Sequence, residues 1–149
     1  CHVLTGCRQP GACAPRAEKG IAMPRAYDDD NIFARILRGE IPNDTVAEND
    51  HALAFRDIAP KAPSHVLVIP KGRYVSFEDF AAHGTEAEIT GFMRLCAEVV
   101  AIEGLGLEAG NQGFRAITNA GAHGVQEVAH FHLHIMGGRM MGPMLSLRD

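Results

Sequence analysis

The feature that most constrains this fold is an alternating run of side chains near the C-terminus. The run His130-Phe131-His132-Leu133-His134-Ile135 exchanges histidine and a large apolar residue at every step. Successive side chains of a strand point to opposite faces, so the histidines share one face and the apolar residues share the other. This pattern predicts a strand over Ala129–Met136, closed by Gly137-Gly138, with its apolar face in the core.

Three imidazoles on one strand face have two functional interpretations and one structural one. Neighbouring side chains on the same face lie roughly 6.5–7 Å apart, close enough to act on one small group. Imidazole is a good ligand for zinc, copper or iron, which favours a metal centre. It is equally suited to nucleophilic and acid–base catalysis near neutral pH. A solvated strand face is the third interpretation, and the spacing alone does not choose among them.

The rest of the chain predicts an α+β domain with a mainly antiparallel sheet, because a helix, a group of strands, a long helix and a second group of strands follow one another. Asp28–Asp30 are predicted to cap the first helix, and Gly39 to end it. The other expected elements are strands at Thr45–Glu48, Leu53–Asp57, His65–Ile69 and Phe114–Asn119, and a long helix at Thr85–Glu103. Cys96 falls on the apolar stripe of that helix and is predicted to be a core residue.

Charge is distributed unevenly along the 149 residues. Residues 1–25 hold four basic residues and one acidic residue, and the remaining residues hold 10 basic and 17 acidic ones. An acidic body argues against a protein that grips long nucleic acid through its phosphates. No apolar run reaches the ~18–20 residues needed to cross a membrane, so no membrane association is expected.

Residues 1–26 differ from the rest and predict a loosely ordered N-terminal extension, with Met23 as the expected start. They are rich in Cys, Gly, Pro, Ala and Arg and show no periodicity; an Arg-rich transit peptide is the less favoured alternative. Three of the four cysteines, Cys1, Cys7 and Cys13, lie here without C-x-x-C spacing, which argues against a metal site. A secreted disulfide scaffold would spread its cysteines through the body, so we expect a cytoplasmic protein.

The alternating run, extended to Gly138, resembles the His-x-His-x-His-x-x signature of the histidine triad (HIT) superfamily, and in particular its Hint-branch nucleotide-binding proteins. Further resemblance covers about residues 29–139. It lies in Asn31-Ile32-Phe33 with Ile36 and Gly39-Glu40-Ile41-Pro42, in Ala54–Ile58, in Ala62–Lys71, in Asn119-Ala120-Gly121 and in Gly124–Val128. The resemblance implies a HIT domain over residues 27–149. It also implies a five-stranded antiparallel sheet with one long and one short N-terminal helix, and a homodimer with a ten-stranded sheet.

The resemblance also implies a role for each histidine. By motif position His132 is the expected nucleophile, and the His130 backbone carbonyl is expected to fix its tautomer. His134 is expected to bind the phosphate and help protonate the leaving group, while His130 and the distant His65 complete the imidazole network. Taken alone, His65 at a strand start reads as structural.

Nucleotide contacts follow from the same resemblance. Asp57 is expected to accept hydrogen bonds from the ribose hydroxyls, and Asn119 to steady the phosphate or ribose. Backbone N–H groups around Gln126, Glu127 and Val128 are expected to hold the phosphoryl oxygens. Without the resemblance, the apolar residues expected to form the base slot would be ordinary core residues; they are Ile32, Phe33, Ile36, Ile41, Phe55 and Ile58.

The function expected from the resemblance is hydrolysis of purine nucleoside phosphoramidates or aminoacyl-adenylates through a covalent nucleotidyl-histidine. The partners are then AMP or GMP derivatives and a second copy of the chain, and no metal or other cofactor is required. Two alternatives remain: a metal-binding protein that uses the triad as ligands, and a non-catalytic nucleotide-binding adaptor. Glu127 stands where related proteins often carry serine, which bears on leaving-group preference.

Overall fold

Five antiparallel strands form one sheet, with helices on both of its faces. The computed structural model describes residues 26–145, so Cys1, Cys7, Cys13 and nearly all of the predicted extension lie outside the described residues. The elements in chain order are α1 (Ile32–Leu37), β1 (Thr45–Glu48), β2 (Ala52–Arg56), β3 (Ser64–Pro70), α2 (Phe77–His83), α3 (Glu86–Ile102), a single 3₁₀ turn (Glu108–Gly110), β4 (Phe114–Ile117) and β5 (Leu133–Gly137). The predicted α+β class is confirmed.

The strand order is β1-β2-β3-β5-β4, and every neighbouring pair is antiparallel. The central strand β3 is buried along its whole length, which explains its continuous apolar sequence. Residues 49–51 connect β1 to β2 as a hairpin, and the Asn49 side chain accepts from the His51 and Ala52 N–H groups. Antiparallel pairing sets His65 opposite Met136 and Leu67 opposite His134. The histidine strand therefore lies beside the strand that carries the fourth histidine.

Helix α3 covers one face of the sheet. Thr85 caps it through a capping box with Glu88, which satisfies N–H groups that the first turn leaves free. Its buried side chains Phe92, Leu95, Cys96 and Val99 pack on the apolar face of the strands. The prediction that Cys96 is a core residue is confirmed, and burial raises the pKa of its thiol to about 12.

Helix α1 covers the opposite face of the sheet. Its cap is Asn31, whose side chain accepts from the Ala34 N–H at 2.9 Å. The prediction that Asp28–Asp30 cap this helix is therefore wrong by one residue. Below the helix lies a second apolar cluster, formed by Phe33, Ile36, Leu53, Phe55, Leu67 and Ile69.

Strand β5 begins at Leu133, four residues later than predicted. The ladder with β3 starts at the Val68–Leu133 pair, and Pro70 at the end of β3 has no N–H to extend it. The predicted alternation of faces nevertheless continues before the strand. Phe131 packs with Phe80 and Phe92 on the α3 face, while His130 and His132 lie on the α1 face near Phe33.

Two further boundaries differ from the prediction. Strand β4 ends at Ile117 rather than Asn119, and the short helix α2 was not predicted. Thr118 leaves the ladder because its hydroxyl donates to the His132 carbonyl at 2.9 Å. No helix within residues 26–145 combines the length and apolar character that a bilayer span requires.

Candidate active site

Four imidazoles gather on the α1 face of the sheet. His130 is fully buried, His65 and His132 are nearly so, and His134 is half-buried. The rings of His132 and His134 lie 5.0 Å apart between centroids, and those of His65 and His134 lie 5.2 Å apart. The structure thus brings His65, distant in sequence, into the cluster formed by the three alternating histidines.

Hydrogen bonding fixes the tautomer of His132. Its Nδ1 lies 2.7 Å from the His130 carbonyl oxygen. A carbonyl only accepts, so Nδ1 carries the proton and donates, and the neutral ring keeps a free lone pair on Nε2. Burial lowers the pKa of His132, although the His130 carbonyl, Asp57 and Glu127 act in the opposite direction. His132 is therefore a neutral imidazole at pH 7 with an unprotonated Nε2, the form required of a nitrogen nucleophile.

The carbonyl that orients His132 belongs to a histidine whose own ring is held at both nitrogens. His130 Nε2 lies 2.8 Å from the Pro70 carbonyl and must donate to it. Its Nδ1 then accepts from the Tyr27 hydroxyl at 2.6 Å. Burial, with a smaller contribution from neighbouring His132, lowers the pKa of His130 to about 4, although the bond to the Pro70 carbonyl acts in the opposite direction. His130 is thus a neutral ring with a fixed orientation beside His132.

His65 and His134 form a second pair with assigned protons. The Lys61 N–H donates to His65 Nδ1 at 3.1 Å, so His65 carries its proton on Nε2. That Nε2–H donates to His134 Nδ1 at 2.9 Å, which leaves the proton of neutral His134 on its Nε2. Burial lowers the pKa of both rings, and burial together with His132 and His65 lowers that of His134 to about 4. His134 therefore offers an N–H donor to a ligand.

Asp57 lies against this pair. Its Oδ2 is 3.4 Å from His65 Nε2, and its Oδ1 accepts from the Ala59 N–H at 2.8 Å. Sequence reasoning expected a ribose contact here and missed the contact with His65. Antiparallel register contains the signal: Arg56 pairs with Val66, so the next residue outward, Asp57, lies opposite His65, and its N–H donates to the His65 carbonyl.

Residues 121–126 form a tight turn beside the histidines. The Gln126 N–H donates to the Gly121 carbonyl and the Val125 N–H to the Ala122 carbonyl, a Schellman pattern. Val125 takes the left-handed position of this pattern at φ 56°, a conformation that β-branched residues seldom adopt. The backbone N–H of Gln126 is therefore used within the turn, which leaves those of Glu127 and Val128 as the candidate phosphate donors of this segment.

The Gln126 side chain braces the same turn. Its amide donates to the carbonyls of Val75 and Val128, and its oxygen accepts from the Gly121 N–H. This bracing role was not predicted. Glu127 is exposed and Val128 is half-buried, as is Asn119, which lies two residues after β4. Val128 packs against the apolar cluster on the α1 face, the charge of Glu127 acts on His132, and Asn119 follows Thr118, whose hydroxyl donates to the His132 carbonyl.

The residues expected to form a base slot divide into buried and exposed groups. Phe33, Ile36 and Phe55 are buried in the cluster beneath α1, and Ile41 packs against it. The Phe33 ring lies 5.0 Å from the His132 ring in an edge-to-face arrangement, which places α1 directly beside the candidate nucleophile. Two members lie on the surface: Ile32 is 41% exposed and Ile58 is 96% exposed.

Asp57, His65 and His134 also have the spacing of a metal site, since one ligand atom from each lies within 4.8 Å of the others. Their protonation does not fit a metal. The Lys61 N–H occupies the lone pair of His65 Nδ1, so Nε2 carries the proton and has no lone pair for an ion. Coordination through that Nε2 would require the Lys61 contact to break.

Comparison with known proteins identifies the family of this chain. The HIT domain model matches residues 38–141. The chain is 52% identical over 124 residues to an uncharacterized 13.2 kDa HIT-like protein of Azospirillum brasilense, covering 83% of this chain and 98% of that protein. It is 40% identical over 118 residues to the purine nucleoside phosphoramidase of Escherichia coli strain K12, covering 79% of this chain and 95% of that enzyme.

Two further matches extend the comparison. A 14 kDa zinc-binding protein of Zea mays is 42% identical over 125 residues, which cover 84% of this chain and 94% of that protein. The crystal structure of a HIT family hydrolase from Legionella pneumophila matches with a TM-score of 0.66 at 38% identity, covering 74% of this chain and 95% of that one. Sequence, fold and the four-histidine site agree, and the chain belongs to the HIT family.

Proposed function

We propose that this protein hydrolyses purine nucleoside 5′-phosphoramidates and aminoacyl-adenylates through a covalent intermediate on His132. The observation that carries the proposal is the bond from His132 Nδ1–H to the His130 carbonyl, which leaves Nε2 unprotonated on a buried, neutral ring. The 40% identity to a purine nucleoside phosphoramidase supports the same substrate class.

The proposed reaction has two displacements at phosphorus. In the first, the Nε2 lone pair of His132 attacks the α-phosphorus, the bond to the leaving group breaks, and the departing amine takes a proton that His134 relays from solvent, so that His134 stays neutral. In the second, water attacks the same phosphorus and passes its proton through His134 back to solvent, which breaks the bond to His132, releases the nucleoside monophosphate and restores the Nε2 lone pair. A covalent intermediate divides one difficult step into two easier ones.

Binding of the nucleotide is assigned to groups around these histidines. His134 Nε2–H and the backbone N–H groups of Glu127 and Val128 would bind the phosphoryl oxygens, with Asn119 steadying the phosphate or ribose. Catalysis of phosphoryl transfer relies mainly on such positioning and on electrostatic stabilisation. Each Asp57 oxygen has a further lone pair for the ribose hydroxyls beside its contact with His65 or with the Ala59 N–H. The base would lie against the predicted slot, in which Ile32 and Ile58 present exposed apolar surface.

Glu127 bears on the choice of leaving group. Its side chain is exposed, and its negative charge acts on His132. An anionic group beside the scissile bond disfavours a negative leaving group and favours an amine or a cationic one. We therefore propose phosphoramidates of amines as better substrates than nucleotides with a phosphate leaving group.

The proposed assembly is a homodimer in the cytoplasm that works without a metal ion. Beside α3 and the edge strand β4 lies a groove of about 800 Å³ with mainly apolar walls. Met93, Leu107 and Phe114 along it are largely exposed. An exposed strand edge next to apolar surface favours association with another chain. A second copy seated there would join the two sheets into the ten-stranded sheet that the sequence resemblance implies.

The test is steady-state hydrolysis of adenosine 5′-phosphoramidate carrying a fluorogenic amine, with a chelator present throughout. Wild type should turn over, and His132→Ala should be slower by a factor of at least about a thousand. Rapid quenching followed by mass spectrometry should find an adenylyl group on the peptide that contains His132. His83→Ala is the matched control, because His83 is exposed on α2 and pairs only with Asp79 among the described residues.

Each rival function predicts a different result. A folded wild type that binds AMP without turnover would contradict the hydrolase proposal and support the nucleotide-binding adaptor. Stoichiometric zinc, together with loss of activity or of the fold in chelator, would support the metal-binding alternative, for which Asp57, His65 and His134 are the candidate ligands.

A further inference from the structure

The segment that precedes α1 reaches back over the histidine cluster. Tyr27, half-buried, lies 103 positions before His130, yet its hydroxyl is 2.6 Å from His130 Nδ1. The two rings meet edge-to-face with centroids 5.5 Å apart. Tyr27 lies outside the range 38–141 matched by the HIT domain model, whereas His130 lies within it.

Arg73, in the loop after β3, fastens this segment in place. Its guanidinium carbon lies 5.1 Å from the centre of the Tyr27 ring, within cation–π distance. The same guanidinium makes a bidentate pair with the Asp29 carboxylate at 2.8 and 2.9 Å. Arg38 at the end of α1 donates to the Asp29 carbonyl at 2.7 Å. We call residues 27–31 the N-terminal strap.

We propose that Tyr27 is a positioning residue for the nucleophile, acting through His130 as the outermost member of a hydrogen-bond chain. The chain runs from the Tyr27 hydroxyl to His130 Nδ1, and from the His130 carbonyl to His132 Nδ1–H. This inference rests on the proposed function of His132. It adds a residue that acts on the reaction without touching the substrate.

In this hydrogen-bond chain, each atom acts either as a donor or as an acceptor. The Pro70 carbonyl forces the His130 proton onto Nε2, which leaves the buried Nδ1 in need of a donor. The Tyr27 hydroxyl supplies that donor and holds the ring between two fixed partners. Because the carbonyl that aims His132 belongs to this same residue, restraint of the His130 ring restrains the direction of His132 Nε2. The other groups that face the ring are Phe33 and neutral His132.

The experiment compares Tyr27→Phe with Tyr74→Phe, because the second of the two tyrosines in the chain provides a matched control. The Tyr74 hydroxyl donates to Glu88 at 2.8 Å on the other face of the sheet, so its removal matches the chemical change without touching the histidines. Tyr27→Phe should lower kcat about three- to tenfold with little change in KM, the effect of one hydrogen bond on orientation. Tyr74→Phe should leave both parameters unchanged.

A second measurement reports on His130 directly. In ¹⁵N NMR, Tyr27→Phe should move the Nδ1 resonance of His130 and raise the pH at which this ring titrates, because the lost bond had stabilised the unprotonated nitrogen. Arg73→Gln, which releases the N-terminal strap but keeps the hydroxyl, should lower kcat in the same direction by a smaller factor. Thermal unfolding of each variant verifies that the fold is intact.

The outcomes separate this inference from the proposed function. Wild-type kcat in Tyr27→Phe, or an unchanged His130 titration, would overturn the positioning role. A wild type with no phosphoramidase activity would defeat the proposed function instead, and the NMR arm would then decide whether Tyr27 holds His130. Loss of kcat together with the altered titration, absent from Tyr74→Phe, is the supporting result.

Discussion

At the scale of single residues, the site is organised by main-chain groups of fixed polarity. The carbonyls of His130 and Pro70 only accept hydrogen bonds, and the Lys61 N–H only donates, so each decides which ring nitrogen carries a proton. Histidine by itself offers two tautomers of similar energy. Main-chain groups therefore fix the proton positions of His130, His132 and His65, and His65 in turn fixes that of His134, which gives chemically identical side chains the different roles that we propose.

Val125 provides a prediction at this scale. Its left-handed backbone costs roughly 1–2 kcal/mol for a residue with a β-carbon, and its side chain is 70% exposed, so little burial offsets the cost. Val125→Gly should raise the free energy of unfolding by about 1 kcal/mol, after allowance for the greater entropy of glycine in the unfolded chain. Chemical denaturation measures the difference.

The control for that substitution lies in the same turn. Ala122→Gly introduces glycine where the backbone is not left-handed, so it should lower the free energy of unfolding by about 0.5–1 kcal/mol. Equal effects from both substitutions would show that strain at Val125 is not what limits stability here.

At the scale of elements, α3 serves two surfaces at once. Phe92, Leu95 and Val99 face the sheet, while Met93 and Ala97 line the apolar groove beside β4. The sequence shows one apolar stripe and cannot divide it between core and interface. The division follows from where the sheet ends, because β4 is an edge strand and leaves the adjoining side of α3 uncovered.

Met93→Glu should therefore weaken the proposed dimer. The substitution places a carboxylate in a groove that would be desolvated on association, and burying an unpaired charge is costly. Sedimentation velocity should find monomer at concentrations where wild type is dimeric. Arg94→Glu is the matched control, because Arg94 is exposed on α3 and does not line the groove. A wild type that is monomeric throughout would contradict the dimer.

At the scale of the whole molecule, the two faces of the sheet carry different chemistry. The α3 face is an apolar core, and the α1 face buries four imidazoles beside a smaller apolar cluster. Burying ionisable groups in their neutral form makes the folded state sensitive to acid, because the unfolded chain takes up protons that the folded chain refuses.

Stability should consequently fall as the pH drops. The pKa of His130 is lowered to about 4 by burial, while the unfolded ring titrates near 6.5. Between these pH values the unfolded state binds more protons than the folded state. The free energy of unfolding is therefore highest above about pH 6.5 and falls as the pH drops toward 4. His130 alone accounts for a decrease of up to about 3 kcal/mol in the free energy of unfolding. The lowered pKa values of His65, His132 and His134 act in the same direction.

Calorimetric melting between pH 7.5 and pH 4.5 tests this expectation, with the individual histidines followed by NMR. The melting temperature should decrease steadily over this range, and the His130 ring should remain neutral until the protein unfolds. A constant melting temperature, or a His130 ring that titrates near its ordinary pKa in the folded protein, would refute the argument.

Much of this architecture is predictable because it depends on local pattern. The alternation at residues 130–135 determined that three histidines share a face, and this held even though β5 starts only at Leu133. The apolar run at residues 65–69 identified a fully buried strand, and the helical stripe at residues 89–100 identified α3. Periodicity predicts such elements since burial of an apolar face is the main force that forms them.

The sequence by itself determined the chemical inventory: imidazoles on one face, an apolar face opposite, and the elements to support them. Only the tertiary structure decided what each imidazole does. The contacts of Tyr27 with His130, of Lys61 with His65 and of Asp57 with His65 depend on how loops and strand ends meet in space. A hydrogen bond acts over about 3 Å, far less than the uncertainty of any placement inferred from periodicity. For that reason the protons of the site became assignable only when the folded backbone supplied their partners.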